Sequence, residues 1–318
     1  MAIEMLESFM NGCLRECREW SEKVTTVLAV VALTLNGLLA GPEAHAQPVM
    51  APMPPPVEIV FVCPTDRSVR SLAPGVCGRR GRRVDLVAEV PEPLEFPLDL
   101  ATTPARLAPG QPARLRFEVR DPWANKLVRK FAVVHESRFH AFVVSEDLEF
   151  FLHDHPRWTG SAFELDAVLP KAGLYRVLAD FLPEAATPQL LTRSVFVGRG
   201  STTPPVVVRD YARKQGENLA VEMSTTPPEP IAGITTTLRF VLSPEDGIEP
   251  YLGVLGHMLV ASDLIDLMHT HPVTMQVGPV AEFAVVFPRP TAYRVWVQFQ
   301  RGGVVNTVHF DVAVHLAP

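Results

Sequence analysis

The sequence predicts an all-β protein built from two tandem antiparallel β-sandwiches, which follow a signal peptide and a small module with two cysteines. Three observations support this prediction. Helical periodicity is almost absent after residue 90. Short runs rich in β-branched and aromatic residues recur there between turn residues, a pattern typical of antiparallel sandwiches. The same series of runs then occurs a second time.

Three pairs of segments define this internal repeat. PGQPARLRFEV (109–119) matches AGITTTLRFVL (232–242), HAFVVSEDLEFFLHDHP (140–156) matches HMLVASDLIDLMHTHP (257–272), and LYRVLADF (174–181) matches AYRVWVQF (292–299). We therefore predict one sandwich at residues 88–200 and another at 205–318, joined by a linker at 198–205. Each copy has the length of an immunoglobulin-like sandwich, about 100 residues.

Composition excludes some classes of protein. The chain has 318 residues, of which 47% are hydrophobic and 20% charged, so a packed fold is expected rather than disorder. The net charge is −6, and the only basic block is GRRGRR at 78–83. This charge pattern disfavours nucleic acid as a partner.

The N-terminus predicts export. Lys23 precedes an apolar run at 24–40, which is shorter than the ~20 residues of a membrane span. Ala44-His45-Ala46 fits the small-x-small cleavage rule, so we predict a signal peptide at 1–46 and a periplasmic or secreted mature chain without a membrane span. The segment before Lys23 is acidic for a signal peptide, and an uncleaved signal anchor is the alternative.

A proline-rich spacer (47–57) and a small module (58–87) follow the predicted cleavage site. Cys13 and Cys17 lie in the signal peptide, which leaves Cys63 and Cys77 in the mature chain. In an oxidising compartment, such a pair favours a disulfide.

Each sandwich carries three histidines at matching positions: His140, His153 and His155 in the first, and His257, His269 and His271 in the second. A two-residue turn at Glu146-Asp147 would place His140 directly opposite His153 on neighbouring strands. His155 would share their face, because side chains alternate along a strand. A turn centred on Asp263 gives the second copy the same arrangement, with His257 opposite His269. Cross-strand partners have Cβ atoms about 4.5–5.5 Å apart.

Three convergent imidazoles suit copper or zinc, with a fourth position for water, a carboxylate or a thioether. Asp154 and Thr270 point to the other face and are not expected ligands. In the predicted register Met258 faces Met268 on that other face. The matching residues of the first copy lack sulfur, so core packing is favoured for this pair.

A metal-free role for the histidines stays open. His-x-His before proline is also a common polar strand end, and the histidines share their face with Phe142, Phe151, Leu259 and Leu267. We find no general base beside either triad and no nucleophile elbow. A hydrolase or oxidase is therefore disfavoured, and no catalytic residue is predicted.

The remaining histidines are weaker candidates for metal ligands. His135-Glu136 has no match in the second copy, where Leu252 falls; a surface hairpin contact is favoured, and a ligand of the first site is the alternative. His309 and His315 alternate outward on the last strand and have no assigned role.

A Tyr-Arg pair opens the late strand of each copy. Tyr175-Arg176 and Tyr293-Arg294 predict a structural corner, in which the tyrosine hydroxyl caps a preceding loop.

The cysteine module, FVCPTDRSVRSLAPGVCGRRGRRVDLV (61–87), resembles the bacterial heavy-metal-binding domain. The matching residues are Cys63, Pro64, Val69, Pro74, Gly75, Cys77 and Gly81. Residues that replace the family's ligands are Thr65, Asp66, Arg80 and Arg82. The resemblance implies a module that has lost its metal site and is closed by a Cys63–Cys77 disulfide.

The sandwiches resemble the YtkA-like and FixH-like domains of exported bacterial proteins. The resemblance is carried by VVHESRFHAFVVSEDLEFFLHDHP and LGHMLVASDLIDLMHTHP, each followed by a Tyr-Arg-Val strand. It implies association with metal in the cell envelope. We therefore expect an exported, non-enzymatic protein that binds copper or zinc for sequestration or delivery. The alternative is a metal-free structural or interaction module that binds another envelope protein.

Overall fold

β-strands form all the regular secondary structure of the residues that the structure describes, as the sequence predicted. The structure is a computed structural model that describes residues 59–78, 82–200, 207–262, 266–273 and 276–317. The predicted signal peptide (1–46) and spacer (47–57) lie outside these residues. Within the described ranges, no helix is long and apolar enough to cross a membrane.

The cysteine module consists of five short strands: β1 (Val60–Cys63), β2 (Asp66–Ser71), β3 (Val76–Cys77), β4 (Val84–Asp85) and β5 (Val87–Glu89). β2, β1 and β5 form one antiparallel sheet, and β3 pairs with β4. A disulfide joins Cys63 to Cys77, the pair that the sequence indicated. The module extends beyond the predicted end at residue 87, because β5 pairs with β1 through Glu89.

Arg70 anchors this module on the first sandwich. Its Nη2 donates to Asp121 Oδ2 at 2.7 Å, and both side chains are almost buried. Its guanidinium also lies 4.6 Å from the Trp123 ring and 5.2 Å from the Phe96 ring. A buried cation is tolerated here because a carboxylate and two aromatic faces replace its water.

The first sandwich contains eight strands: β6 (Leu98–Thr103), β7 (Pro112–Val119), β8 (Phe139–Ser145), β9 (Phe151–Asp154), β10 (Arg157–Trp158), β11 (Phe163–Val168), β12 (Gly173–Phe181) and β13 (Gln189–Val197). One sheet has the order β10-β11-β7-β6, and the facing sheet has the order β13-β12-β8-β9. Strand β7 alternates exposed and buried residues, as a strand with one face on the core requires.

The second sandwich repeats this arrangement with β14 (Lys214–Gln215), β15 (Ala220–Thr226), β16 (Thr235–Ser243), β17 (Ile248–Glu249), β18 (Gly256–Ala261), β19 (Leu267–Thr270), β20 (Val280–Val286), β21 (Ala292–Arg301) and β22 (Val304–Ala313). One sheet has the order β14-β15-β16-β20. In the other, β21 pairs with β18 and β22, and β18 pairs with β19. Strands β8, β9 and β12 of the first domain thus correspond to β18, β19 and β21.

The predicted tyrosine corners are present in both domains. Tyr175 Oη donates to Lys171 O at 3.0 Å and accepts from Lys171 N at 3.0 Å. Tyr293 Oη makes the same two bonds with Arg289, at 3.0 and 3.1 Å. Each buried hydroxyl therefore satisfies the polar backbone groups of the loop before the late strand.

Each sandwich has its own core, and a third hydrophobic cluster lies between the two domains. This interdomain cluster contains Phe142, Val144, Leu148, Leu178, Leu259, Ala261 and Trp296. Its residues come from β8, the loop after β8 and β12 on one side, and from β18 and β21 on the other. The rings of Phe151 and Trp296 stack across it with centroids 5.2 Å apart. The module and both domains belong to one compact unit of the chain.

A buried arginine adds a polar contact at the edge of this interface. Arg294 of β21 donates to both carboxylate oxygens of Asp311, at 2.8 and 3.0 Å. Its Nη1 also donates to Leu148 O and to Glu149 Oε1 of the first domain, at 2.9 and 2.8 Å. The sheet that contains β8, β9 and β12 therefore packs face to face against the sheet that contains β18, β19 and β21. The faces in contact are those that carry the histidines.

Candidate metal centre

The strand register in the first domain differs from the predicted one by two residues. β8 pairs with β9 so that Phe142 lies opposite His153 and Ala141 opposite Asp154. The next step of this register brings His155, rather than His153, opposite His140. A shift of two residues keeps every side chain on its face. The three histidines therefore still converge, although the predicted cross-strand pair was wrong.

The cause of the shift is the turn, which is longer than predicted. Ser145 N donates to Phe150 O at 3.2 Å, so the turn between these two residues contains four residues, 146–149, instead of two. Asp147 Oδ1 stabilises it by accepting from Ser145 Oγ at 2.5 Å and from Glu149 N at 3.1 Å. Leu148 takes a positive φ of 55° to close it. Leucine carries no sequence signal for that conformation.

The second domain shows the same two-residue shift. Leu259 lies opposite His269, and Met258 lies opposite Thr270, so neither predicted pair is formed. Met268 lies opposite Val260 instead, and the predicted Met258–Met268 pair is wrong. Met258 is fully buried in the core of the second sandwich, and Met268 packs against that core. Asp263, the predicted centre of the turn, lies outside the described residues.

The first triad is a tight cluster. His140 Nδ1 lies 3.4 Å from His153 Nε2 and 3.1 Å from His155 Nε2. One nitrogen of each ring lies within 4.8 Å of the other two. His140 and His153 are only 3% and 8% exposed, and His155 is half-buried. The structure thus brings together all three residues that the sequence selected.

The second triad is a similar cluster. His257 Nδ1 lies 3.4 Å from His269 Nε2, and His271 completes a cluster whose ligand atoms again lie within 4.8 Å of one another. His257 is 1% exposed. His271 Nε2 is buried and has no hydrogen-bond partner among the described residues.

The outer ring nitrogens determine which inner nitrogens carry lone pairs. His140 Nε2 donates to Val134 O at 3.0 Å, and His257 Nε2 donates to Tyr251 O at 3.1 Å. A carbonyl oxygen only accepts, so in each neutral ring the proton is on Nε2 and the lone pair is on Nδ1. The lone pairs of His140 and His257 therefore point into the triads.

The anchors of His153 and His269 come from the opposite domain. His153 Nδ1 donates to Gln298 Oε1 of β21 at 2.7 Å, and His269 Nδ1 donates to Asp180 Oδ2 of β12 at 2.7 Å. Asp180 and Gln298 occupy matching positions of the repeat. Each of the two rings therefore directs its Nε2 lone pair inward. Sequence analysis missed both anchors, although a polar residue at the same place in LYRVLADF and AYRVWVQF was a usable signal.

Two acceptor nitrogens therefore face each other at 3.4 Å in each triad, with no proton between them. Two nitrogens that are each 2.0–2.1 Å from one ion at a tetrahedral angle lie about 3.3–3.4 Å apart. The observed separation thus matches the edge of a tetrahedral metal site. The donor set of each triad fits a Zn or Cu ion.

Burial keeps these imidazoles neutral. Desolvation lowers the pKa of His153 to about 2, although the bond to Gln298 raises it in part. Desolvation likewise lowers the pKa of His269 and of His271 to about 3 and depresses the pKa of His257. The His269–Asp180 contact is therefore a hydrogen bond from a neutral ring to a carboxylate rather than an ion pair. Neutral imidazole is the form that binds metal.

His135 lies beside the second triad, not the first. Its ring centroid is 3.9 Å from that of His271 and 5.9 Å from that of His257. The alternative of a ligand for the first site is therefore wrong, and the favoured surface contact is an interdomain one. His309 and His315 are exposed, as predicted.

Comparisons with known proteins give a family for both repeats. The model of a domain of unknown function, DUF8832, matches residues 97–191 and 214–315, more than half of the chain. No curated protein matched the chain. The predicted resemblances to YtkA-like, FixH-like and heavy-metal-binding domains stay predictions.

Solved structures with a similar arrangement of strands share little sequence with the chain. FdeC, an Escherichia coli adhesin, is 14% identical with a TM-score of 0.24, over 74% of this chain and 68% of that one. Two fibronectin type-III domains of chicken tenascin are 14% identical with a TM-score of 0.22, over 69% of this chain and 98% of that one. These similarities concern the fold alone. The two sandwiches, each matched separately by the same family model, make this chain a member of the DUF8832 family with two copies of the domain.

Proposed function

We propose that this is an exported protein that binds copper or zinc at two histidine sites, one in each domain, for sequestration or delivery and without catalysis. The observation that carries the proposal is the pair of inward lone pairs in each triad, 3.4 Å apart. Each lone pair is held in place because the outer nitrogen of its ring donates to an oxygen.

A purely structural role leaves these contacts unexplained. Two acceptors that face each other repel, and a buried polar atom without a partner costs about 1–3 kcal/mol. His271 Nε2 is such an atom. Apolar residues of similar size would close the interface without these costs. A bound cation removes them, because it accepts electron density from every inward nitrogen.

The chemistry of the donors limits the ion. Neutral imidazole nitrogens suit zinc and copper, whereas calcium and magnesium require oxygen ligands. The Cys63–Cys77 disulfide supports an oxidising location outside the cytoplasm. Export and a nitrogen donor set together favour a role in handling metal in the cell envelope or outside it.

The test is a calorimetric titration of metal-free residues 47–318 with Zn(II) and Cu(II). We expect saturable binding of two equivalents. The triple variant His140→Ala/His153→Ala/His155→Ala should bind one equivalent, and so should the matching variant of the second triad. A variant with His309→Ala and His315→Ala is the control, because both rings are exposed, and it should still bind two.

One combination of results would overturn the proposal. If neither ion binds and both triple variants unfold at a much lower temperature than the parent, the histidines serve interdomain packing. The protein would then be a structural or interaction module, and its partner would be another envelope protein.

A further inference from the structure

The two sites have different surroundings, although their triads are alike. We infer, on the basis of the function proposed above, that the site of the second domain is a four-histidine site that retains its ion, whereas the site of the first domain has three ligands and exchanges its ion. His135 and Asp180 of the first domain would make this difference. Both reach across the interface to the second triad.

The first difference is the group that orients the cross-domain ligand. His269 of the second triad donates to a carboxylate, Asp180, whereas His153 of the first triad donates to an amide, Gln298. A carboxylate behind a histidine ligand increases the basicity of the ring and offsets the charge of the ion. Loss of such a group costs about 10–100-fold in metal affinity. The second site therefore has the stronger donor set.

Other charges near the triads do not reverse this difference. Asp154, next to His155, is exposed, and its Oδ1 accepts from the backbone nitrogen of His155 instead of a ring. Asp180 itself lies opposite His140 in the β8–β12 register, so its charge also acts on the first site. Its hydrogen bond, however, goes to the second site alone.

The second difference is the fourth imidazole. His135 and Glu136 form a tight turn between Val134 and Ser137, and both have positive φ values, 48° and 61°. Such a turn favours glycine or asparagine. His135 and Glu136 therefore adopt backbone conformations that are unfavourable for their residue types. The turn places the His135 ring 3.9 Å from that of His271. His135 is not part of the cluster of ligand atoms that His257, His269 and His271 form, so its ring would join the site only when an ion binds. The Glu136 side chain lies beside Gly253 of the second domain.

The matching turn of the second domain lacks a ligand. It runs from Tyr251 to Val254, and its two positive-φ residues are Leu252 and Gly253. Leu252 occupies the place of His135 and has no group that could bind a metal ion. The first site therefore gains no fourth imidazole from this turn.

The third difference is the state of the outermost ligand in the metal-free protein. In the first triad, His155 Nε2 lies 3.1 Å from His140 Nδ1, so it can donate a hydrogen bond to that lone pair. An ion must displace this bond. In the second triad, the matching atom, His271 Nε2, has no hydrogen-bond partner in the described part of the chain. No such bond competes with an ion there.

Coordination number connects these differences to function. Sites with four protein ligands hold zinc as a closed, structural ion, whereas three ligands leave a position open for exchange. Delivery of metal would thus proceed from the first site, and the ion of the second site would hold the two domains together.

The test uses single-site chains loaded with Zn(II). The triple alanine variant of the first triad retains the second site, and the reverse variant retains the first. Zinc affinity is measured by competition with a chromophoric chelator, and the dissociation rate by transfer of zinc to excess chelator. We expect the second site to bind at least about 10-fold more tightly and to release zinc at least about 10-fold more slowly.

Two substitutions test the assigned residues in the chain that retains the second site. Asp180→Asn should weaken zinc binding about 10–100-fold. His135→Leu, which copies the residue of the matching turn, should accelerate zinc release. The matched control is Leu252→His in the chain that retains the first site, where it should slow release. Should either triple variant fail to fold, the half-buried His155→Ala and His271→Ala replace them.

Each outcome separates this inference from the proposed function. Equal affinities and release rates at two functional sites would overturn the inference and leave metal binding intact. The inference also fails if Asp180→Asn and His135→Leu change neither quantity. If the parent chain does not bind zinc or copper at all, the proposed function fails with it.

Discussion

Acid should unfold the metal-free protein because the interface buries neutral imidazoles. His153, His257 and His269 have pKa values far below the ordinary value of about 6.5, and desolvation is the main cause. In the unfolded chain these rings take up protons as soon as the pH falls below about 6.5. The stabilising effect is therefore complete above that pH and is lost progressively below it.

The magnitude follows from proton linkage. For a ring that stays neutral in the folded state, lowering the pH to 5 costs about 2 kcal/mol of unfolding free energy, given an unfolded pKa of about 6.5. The side chains of His153, His257 and His269 are all almost completely buried. Together they give a loss of about 6 kcal/mol, which is comparable to the whole stability of a typical domain.

The assay is guanidinium denaturation of the metal-free chain at pH 7.5, 6 and 5. His153→Gln removes one of the three rings and should reduce the loss at pH 5 by about 2 kcal/mol. His315→Gln is the matched control, because that ring is exposed, and it should leave the pH dependence unchanged. A denaturation midpoint that stays constant between pH 7.5 and 5 would refute this reasoning. So would a His153→Gln variant with the pH dependence of the parent.

Two further predictions concern contacts outside the triads. Trp296→Ala should lower the free energy of unfolding by about 3–5 kcal/mol in guanidinium denaturation, because it empties the interdomain cluster opposite Phe151; a loss below 1 kcal/mol would show that the interface contributes little. Tyr175→Phe should cost about 1–3 kcal/mol, measured by thermal unfolding, because Lys171 N loses its acceptor inside the corner. An unchanged melting temperature would contradict that role.

The alternation of residues predicted the faces of the strands correctly but could not fix their register. Side chains two residues apart share a face, so His140, His153 and His155 meet whichever even register the strands adopt. The register depends on the turn. In that turn Leu148 takes a left-handed backbone conformation, which a leucine in the sequence does not predict. The clustering of the histidines was thus predictable, whereas the contacts between them were not.

The packing of the domains could not be predicted, because it depends on which sheet face is covered. Phe142 and Leu259 accompany the histidines along their strands, and this pattern fits both an ordinary core and an interface. The structure shows an interface between corresponding faces. The roles of Asp180 and Gln298 exist only in that arrangement, since each bonds a histidine of the other domain. A comparison of the repeats alone locates these two residues without revealing what they contact.

Duplication explains why polar clusters of this kind can be buried at all. A sheet face lined with histidines is a poor surface to cover with an apolar partner, because every ring nitrogen needs a hydrogen bond or an ion. A second copy of the same face supplies the required acceptor at the matching strand position, as Gln298 does for His153 and Asp180 for His269. Once the copies are linked in one chain, their sequences can diverge. The two copies already differ at this position, where one triad is held by the amide of Gln298 and the other by the carboxylate of Asp180.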